Sequence, residues 1–193
     1  MQKDSMLTNK IKGAVALLNK NSLLSDVAIM IICCAAGVFA KKIINPFANV
    51  VTDSLHVPGG ISTAISLMFL VIASGITKRR CSASMMGLAQ AIMALALGSV
   101  GSMGFLLPLA YVIPAVVIDL VMLIPGKGRA SIRTKAFFAN MISSVSAALF
   151  AEIVVFHLPL RPLTVYILLA ALSGAIAGYL AGAVIHLIVS RND

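Results

Sequence analysis

Two acidic residues, Asp119 and Glu152, lie inside long apolar runs of the sequence. An ionisable side chain is expensive to place in hydrocarbon, so each of these acids is a candidate for ligand binding. Glu152 is about one turn from the end of its run that is predicted below to face outward, and ligand binding is the favoured interpretation for it. Asp119 lies toward the inner end of another run, where a polar contact between helices is an equally good explanation. The two acids are therefore not expected to act as a paired acid and base.

Four further polar side chains are candidates for the same ligand site. Tyr111, between two prolines, could stack on a flat ligand or belong to an interfacial belt of aromatic residues. Gln90 and Asn140 can hydrogen-bond a heterocycle, although tying helices together is the leading interpretation for both. His157 lies at the outer rim, where it is either solvated or part of a gate. The predicted binding set is Glu152, Tyr111, Gln90, Asn140, Asp119 and His157.

The sequence has no recognisable catalytic motif. It lacks a Gly-x-Ser-x-Gly elbow, a His-Glu-x-x-His helix and a phosphate-binding P-loop, so neither an enzyme nor a bound cofactor is predicted. The serines of the segment 143–146 have no evident His partner at their depth. Cys33, Cys34 and Cys81 do not have the spacing of metal ligands, and no metal site is expected.

The composition places these residues in a membrane. Of the 193 residues, 60% are hydrophobic and 11% are charged, whereas a soluble domain has about 25% charged residues. A water-exposed globule is therefore excluded. Backbone groups must be paired internally in lipid, and the apolar runs lack the alternation of barrel strands, so they are predicted to be helices. The sequence predicts an all-α integral membrane protein with six transmembrane helices, at about 25–44, 60–77, 82–99, 104–124, 136–156 and 162–189.

The distribution of basic residues predicts the orientation of these helices. With the amino terminus inside, twelve Lys and Arg residues fall in cytoplasmic segments and only Lys41, Lys42 and Arg161 fall outside. This asymmetry follows the positive-inside rule and places both termini in the cytoplasm. It also accounts for the net charge of +9 without a nucleic-acid partner, for which no basic stripe with interleaved aromatic residues is present.

Two segments outside the spans have predicted roles. Residues 1–23 repeat apolar side chains at helical spacing between lysines, so they form either an amphipathic segment on the inner membrane surface or a partly ordered tail. The first outer loop, 45–60, is long enough to fold back as a lid, with His56, Pro58, Gly59 and Gly60 near its end. The second outer loop, 98–104, is rich in small residues whose backbone could approach a ligand closely.

Small residues at a spacing of four form two smooth helix faces. One comprises Ala36 and Ala40 in the first span, and the other comprises Gly174, Gly178 and Gly182 in the sixth. Such faces let helices approach closely. One of them can serve internal packing and the other a partner protein, but spacing alone does not distinguish the two.

These features resemble the S component, or substrate-capture subunit, of an energy-coupling factor (ECF) transporter. The YkoE-type S components are the most similar. The likeness lies in the 98–104 loop leading to the late acid Asp119, in the serine-rich segment 142–146 running on to Glu152, and in residues 172–175 of the sixth span. It covers about the last hundred residues, with topology alone for the rest.

The resemblance implies a six-helix bundle in a prokaryotic plasma membrane, with an outward pocket formed by spans four to six and capped by outer loops. It implies that Ala36 and Ala40 dock on a membrane-embedded coupling (T) subunit, and that two partner ATPases supply the energy from ATP. The implied ligand is a water-soluble vitamin or precursor of the thiamin or hydroxymethylpyrimidine type. Glu152 suits a cationic or amino-bearing ligand, whereas the basic residues at the outer rim could attract a carboxylate such as biotin.

A second interpretation is a self-sufficient secondary transporter or channel that works as a homo-oligomer. Inverted repeats or a chain of buried ionisable groups would favour it. Neither is evident in the sequence, so the capture subunit is preferred.

Overall fold

The computed structural model describes residues 23–47, 61–77, 79–98, 101–125, 129–155, 157 and 160–191. The predicted amphipathic segment, apart from Leu23, and the lid residues His56, Pro58, Gly59 and Gly60 lie outside these ranges. The described residues form six α-helices, a 3-10 helix before the fourth and a π-helix after the fifth. Their bounds are α1 Leu23–Phe47, α2 Ile61–Thr77, α3 Ser82–Ala96, the 3-10 helix Gly101–Leu106, α4 Leu107–Leu123, α5 Arg129–Leu149, the π-helix Phe150–Val155 and α6 Leu160–Arg191.

Four of these helical segments are long and apolar enough to cross a membrane. They are Leu23–Phe47, Gly104–Leu123, Ser131–Val155 and Leu163–Val189. The other two helices, α2 with 17 residues and α3 with 15, are shorter. At 1.5 Å per residue they rise about 25 and about 22 Å, against a hydrocarbon core about 30 Å thick. The structure therefore indicates a multi-pass helical membrane protein, and the prediction of six full spans is supported for four helices.

The outer surface of the bundle is apolar, as a lipid-facing surface must be. On α6, Leu168, Leu172, Ile176 and Leu180 recur every four residues, and each is more than half exposed. A soluble monomer rarely exposes such a continuous apolar row. Serine, asparagine, glutamine and glutamate side chains are instead found in the interior. Apolar side chains outside and polar side chains inside are the arrangement expected of a protein surrounded by lipid.

Neighbouring helices run in alternating directions, and α2 occupies the centre of the bundle. Leu70, Val71 and Ala73 of α2 are fully buried, and α2 contacts α3, α4, α5 and α6. At one end of the bundle, Arg79 pairs with Asp26 at 2.7 Å. We call this the basic end, because Arg79, Arg80, Arg133 and Lys135 all belong to the helix ends and turns there. The end that carries Lys41 and the π-helix is called the opposite end.

The glycine face of α6 packs against α5. A Cβ added at Gly174 would lie 2.8 Å from Ser144 Oγ, and one at Gly178 would lie 2.7 Å from the carbonyl oxygen of Phe137. Gly182 continues the same contact one turn further. Of the two small-residue faces in the sequence, the one on α6 therefore serves internal packing, because only glycine lets the two backbones come this close.

Candidate functional site

The π-helix at the end of α5 holds a buried carboxylate. Glu152 is fully buried, and neither of its carboxylate oxygens has a hydrogen-bond partner among the described residues. Burial of a charge or polar group without a partner is costly. π-Helices are rare and frequently occur at functional sites, because the wider turn redirects side chains. The combination marks Glu152 as the centre of a candidate ligand site, which we call the Glu152 site.

Two other elements bound the Glu152 site. Tyr166 of α6 is buried and close enough to Glu152 for the two groups to interact electrostatically. Tyr166 also packs with Ala148 and Ala170 in a small apolar cluster. The 3-10 helix Gly101–Leu106 contacts the π-helix, so the end of the predicted second outer loop lies against the segment that carries Glu152. Tyr166 was not among the predicted binding residues, because it lies in an ordinary apolar stretch with no motif around it.

The glycines at the two edges of the predicted second outer loop have conformations that other residues rarely adopt. Gly98 has φ +65° and Gly104 has φ +50°. A Cβ added at either glycine would meet no atom within 4 Å. In this structure the two glycines are required for their backbone conformation, and close approach of this loop to a ligand stays a prediction.

A second polar layer crosses the middle of the bundle. It consists of Ser66 on α2, Gln90 on α3, and Asn140 and Ser144 on α5, all buried, and we call it the amide layer. Asn140 Nδ2 donates to the carbonyl oxygens of Gly174 at 2.9 Å and Ala64 at 3.3 Å. These bonds tie α5 to α6 and α2.

Gln90 makes the corresponding connection to α1. Its Nε2 donates to the carbonyl oxygen of Cys34 at 3.3 Å. A Cβ added at Gly37 would lie 2.5 Å from this nitrogen, so the glycine makes room for the amide. Gln90 and Asn140 thus hold helices together, which was the leading interpretation for both.

The amide layer nevertheless retains unused hydrogen-bonding groups. The hydroxyls of Ser66 and Ser144 and the Oδ1 atom of Asn140 have no partner among the described residues. Asn140 lies twelve residues before Glu152, or about 18 Å of α-helical rise. The amide layer therefore lies deeper than the Glu152 site and does not share one small ligand-binding surface with it. Ser66 was not among the predicted binding residues, although its spacing of four from Ser62 places both serines on one helix face.

Asp119 has a structural partner at the basic end. Its two oxygens accept hydrogen bonds from the backbone N–H groups of Ala83 at 3.0 Å and Ser84 at 2.8 Å, and from the Ser84 hydroxyl. These groups belong to the first turn of α3, whose N–H groups lack partners within the helix. Cys81, the residue before α3, has φ +61° and makes no side-chain cap. Asp119 therefore caps α3 from α4, far from Glu152.

Tyr111 and Lys41 meet at the opposite end. Lys41 Nζ lies 4.6 Å from the centre of the Tyr111 ring and 3.4 Å from its hydroxyl oxygen. This contact connects α1 to α4 about one turn before Pro114, which lies inside α4 and is buried. The predicted stacking face of Tyr111 is thus covered by a cation in this structure.

The remaining predicted residues lie at the surface or partly buried. His157 is exposed and has φ +52°. Ala36 and Ala40 are half-buried on α1, whose neighbouring residues Cys34, Gly37 and Val38 face the bundle. No three His, Cys, Asp or Glu side chains group as metal ligands within the described ranges.

A cavity of about 590 Å³ lies at the basic end, between α2, α3, α4 and α5. Its polar lining includes Arg79, Arg80, Lys135, Ser84 and Asp119. It is therefore at the other end of the bundle from the Glu152 site, whereas the resemblance implied a pocket at the outward end.

No protein-family model, no curated protein and no solved structure matches the chain.

Proposed function

We propose that this protein is the substrate-binding S component of an ECF-type importer, with six transmembrane helices and both termini in the cytoplasm. It captures a small water-soluble vitamin or precursor outside a prokaryotic plasma membrane. The observation that carries the proposal is Glu152, a fully buried carboxylate without a hydrogen-bond partner among the described residues. Such a group is retained at a cost to folding, and a ligand that satisfies it explains why.

The chemistry of Glu152 favours a ligand with a positive charge or N–H donors. A buried carboxylate gains most from a charge-assisted hydrogen bond, which is stronger than a neutral one. An aminopyrimidine or a thiazolium compound offers these groups, so thiamin or hydroxymethylpyrimidine is our preferred ligand. Tyr166, beside Glu152, contributes an aromatic surface for a flat ring.

Transport then depends on other chains. The coupling subunit docks on the Ala36 and Ala40 face of α1, and two ATPases supply the energy from ATP. The S component topples in the membrane and delivers its ligand inside. The small side chains at 36 and 40 suit a partner that must both approach closely and release.

A binding measurement tests the capture function directly. Thiamin, hydroxymethylpyrimidine and biotin are titrated against the detergent-purified full chain, and the melting temperature is followed, because a ligand of the folded state stabilises it. The expected result is a shift with one of the first two compounds that Glu152→Gln removes. The matched control is Asp26→Asn, which neutralises an acid at the basic end and should retain the shift. A shift with biotin that survives Glu152→Gln would contradict the proposal.

The alternative is a self-sufficient secondary transporter or channel that forms a homo-oligomer. The observation in its favour is the cavity at the basic end, opposite the buried acid, since alternating access needs openings on both sides. Proteoliposomes that contain only this chain distinguish the two functions. Accumulation of the ligand under an ion gradient without ATPases would favour the alternative.

A further inference from the structure

The cavity at the basic end has a charged wall and an apolar wall. It is formed where α2 and α4 end and where α3 and α5 begin. Its volume of about 590 Å³ is in the range of about 300–1,000 Å³ that is usual for small-molecule sites. Neither the proposed capture function nor the Glu152 site uses it.

Two of the positively charged side chains that line this cavity have no ion-pair partner among the described residues. Arg79 is paired with Asp26, and the oxygens of Asp119 are occupied by the first turn of α3. Arg80 and Lys135 also line the cavity, and neither has an ion-pair partner among the described residues. The unpaired charge in the cavity is therefore positive.

The apolar wall comes from the lipid-facing side of α4. Val116, Leu120 and Leu123 line the cavity and are all exposed on the outside of the bundle. A ligand lying there would contact two arginine or lysine head groups and a hydrocarbon surface that continues into the bilayer. Inorganic phosphate would bind only the basic head groups and would leave the hydrocarbon surface without a contact.

We propose that this cavity binds the headgroup of an anionic phospholipid, with Arg80 and Lys135 contacting the phosphate and the acyl chains following the exposed face of α4. Basic pockets between transmembrane helices suit such headgroups, since charge attraction and apolar contact act on one molecule. The lipid ties together α2, α3, α4 and α5 at the basic end.

Native mass spectrometry of the full chain tests this site. The protein in detergent is mixed with equal amounts of phosphatidylglycerol and phosphatidylcholine of the same chain length. The detergent is then removed in the mass spectrometer, and the mass of the protein shows which lipid stays bound. Retention of one phosphatidylglycerol in preference to phosphatidylcholine is expected. Arg80→Gln and Lys135→Gln should each weaken this binding by about fivefold, the effect of one basic residue near an anionic lipid.

Arg133→Gln is the matched control. Arg133 lies two residues from Lys135 on α5, but its guanidinium lies 5.8 Å from the centre of the Tyr179 ring and is not part of the cavity lining. Its loss should leave phosphatidylglycerol binding unchanged within about twofold. Arg80→Lys keeps the charge and should retain binding, which separates loss of the site from loss of folding.

Three outcomes would overturn the proposal. The first is equal retention of the two lipids, and the second is equal weakening by Arg133→Gln and Lys135→Gln. The third is displacement of phosphatidylglycerol by inorganic phosphate, which would identify a site for a small free anion.

Discussion

Glu152 and Asp119 are both acidic, but they have different roles because their surroundings differ. Asp119 accepts hydrogen bonds from two backbone N–H groups and one hydroxyl of α3, so its negative charge is stabilised by the start of a helix. Glu152 has no hydrogen-bond partner among the described residues. One acid thus contributes to folding, and the other is without a structural partner in the described part of the chain.

Removal of the Glu152 charge should stabilise the ligand-free protein. Glu152→Gln keeps the shape of the side chain but replaces a carboxyl group that is costly to bury without a partner. We expect a melting temperature about 2–4 °C higher in detergent without ligand, which corresponds to about 1 kcal/mol for a chain of this size. Asp26→Asn, which breaks an exposed ion pair, should not raise it. A lower melting temperature for Glu152→Gln would indicate that the carboxylate makes structural hydrogen bonds.

Removal of the Asp119 side chain should destabilise the protein. Asp119→Ala leaves the N–H groups of Ala83 and Ser84 without their acceptor, and loss of a helix cap costs about 0.5–2 kcal/mol. Thermal unfolding of the purified protein should show a lower melting temperature. Ser84→Ala removes only the hydroxyl contact and should cost less. Equal losses for the two variants would show that the backbone contacts contribute little.

Among the helices, the α5 and α6 pair depends on backbone approach rather than on side-chain interlocking. At Gly178 the nearest atoms to an added Cβ belong to the backbone of Phe137, which cannot move aside as a side chain can. In lipid, close packing of this kind replaces the hydrophobic effect as the force between helices. The hydrogen bond from Asn140 to Gly174 fixes the register of the same pair.

The distances at the glycines of α6 predict which of them can be replaced by alanine at the lower cost in stability. Gly178→Ala should destabilise the protein by about 1–3 kcal/mol, because the added methyl group would force the helices apart. Gly182→Ala should destabilise it less, since its added Cβ would lie 3.1 Å from the nearest atom rather than 2.7 Å and alanine favours the helix. Thermal unfolding of both variants tests the order. Equal destabilisation would mean that the local distances do not control packing.

The whole molecule has a basic end and an opposite end, and this asymmetry predicts its orientation in the membrane. Cys81 is exposed at the basic end, beside Arg79 and Arg80. The positive-inside rule predicts that this end faces the cytoplasm.

Thiol labelling checks the orientation. In a chain with Cys33→Ala and Cys34→Ala, we expect an impermeant maleimide to label Cys81 in inverted vesicles but not in intact cells. Lys42→Cys in a chain without other cysteines should show the reverse pattern, because position 42 is exposed at the opposite end. Labelling of Cys81 in intact cells would reverse the proposed topology.

The proposed docking face predicts a separation of binding from transport. Replacing both Ala36 and Ala40 with Leu should leave ligand affinity unchanged within about twofold, because the Glu152 site is on other helices. Uptake by the assembled transporter should fall to the background of cells without it, since bulky side chains prevent close approach of the coupling subunit. Ala28→Leu changes an exposed alanine of the same helix and should retain uptake. If uptake survives both replacements, another surface of the chain is the docking face.

Much of the architecture was determined by local sequence. Six apolar runs, about 25–44 to 162–189, correspond to α1–α6, because each run must pair its backbone within itself in lipid. The ends were less well predicted: α5 begins at Arg129 rather than near 136, since a helix can continue into water beyond its apolar part. The intramembrane acid Glu152 was likewise evident from sequence, because a carboxylate among apolar residues stands out by composition alone.

The tertiary structure decided what depends on residues that are distant along the chain. Ser84 donates hydrogen bonds to Asp119, and the glycines of α6 face α5, because those surfaces meet only after the helices pack. Neither the π-helix that carries Glu152 nor the cavity beside Lys135 was predicted from the sequence. Hydropathy reports how a segment interacts with lipid, whereas these features depend on which helix faces are complementary, and local composition does not specify that.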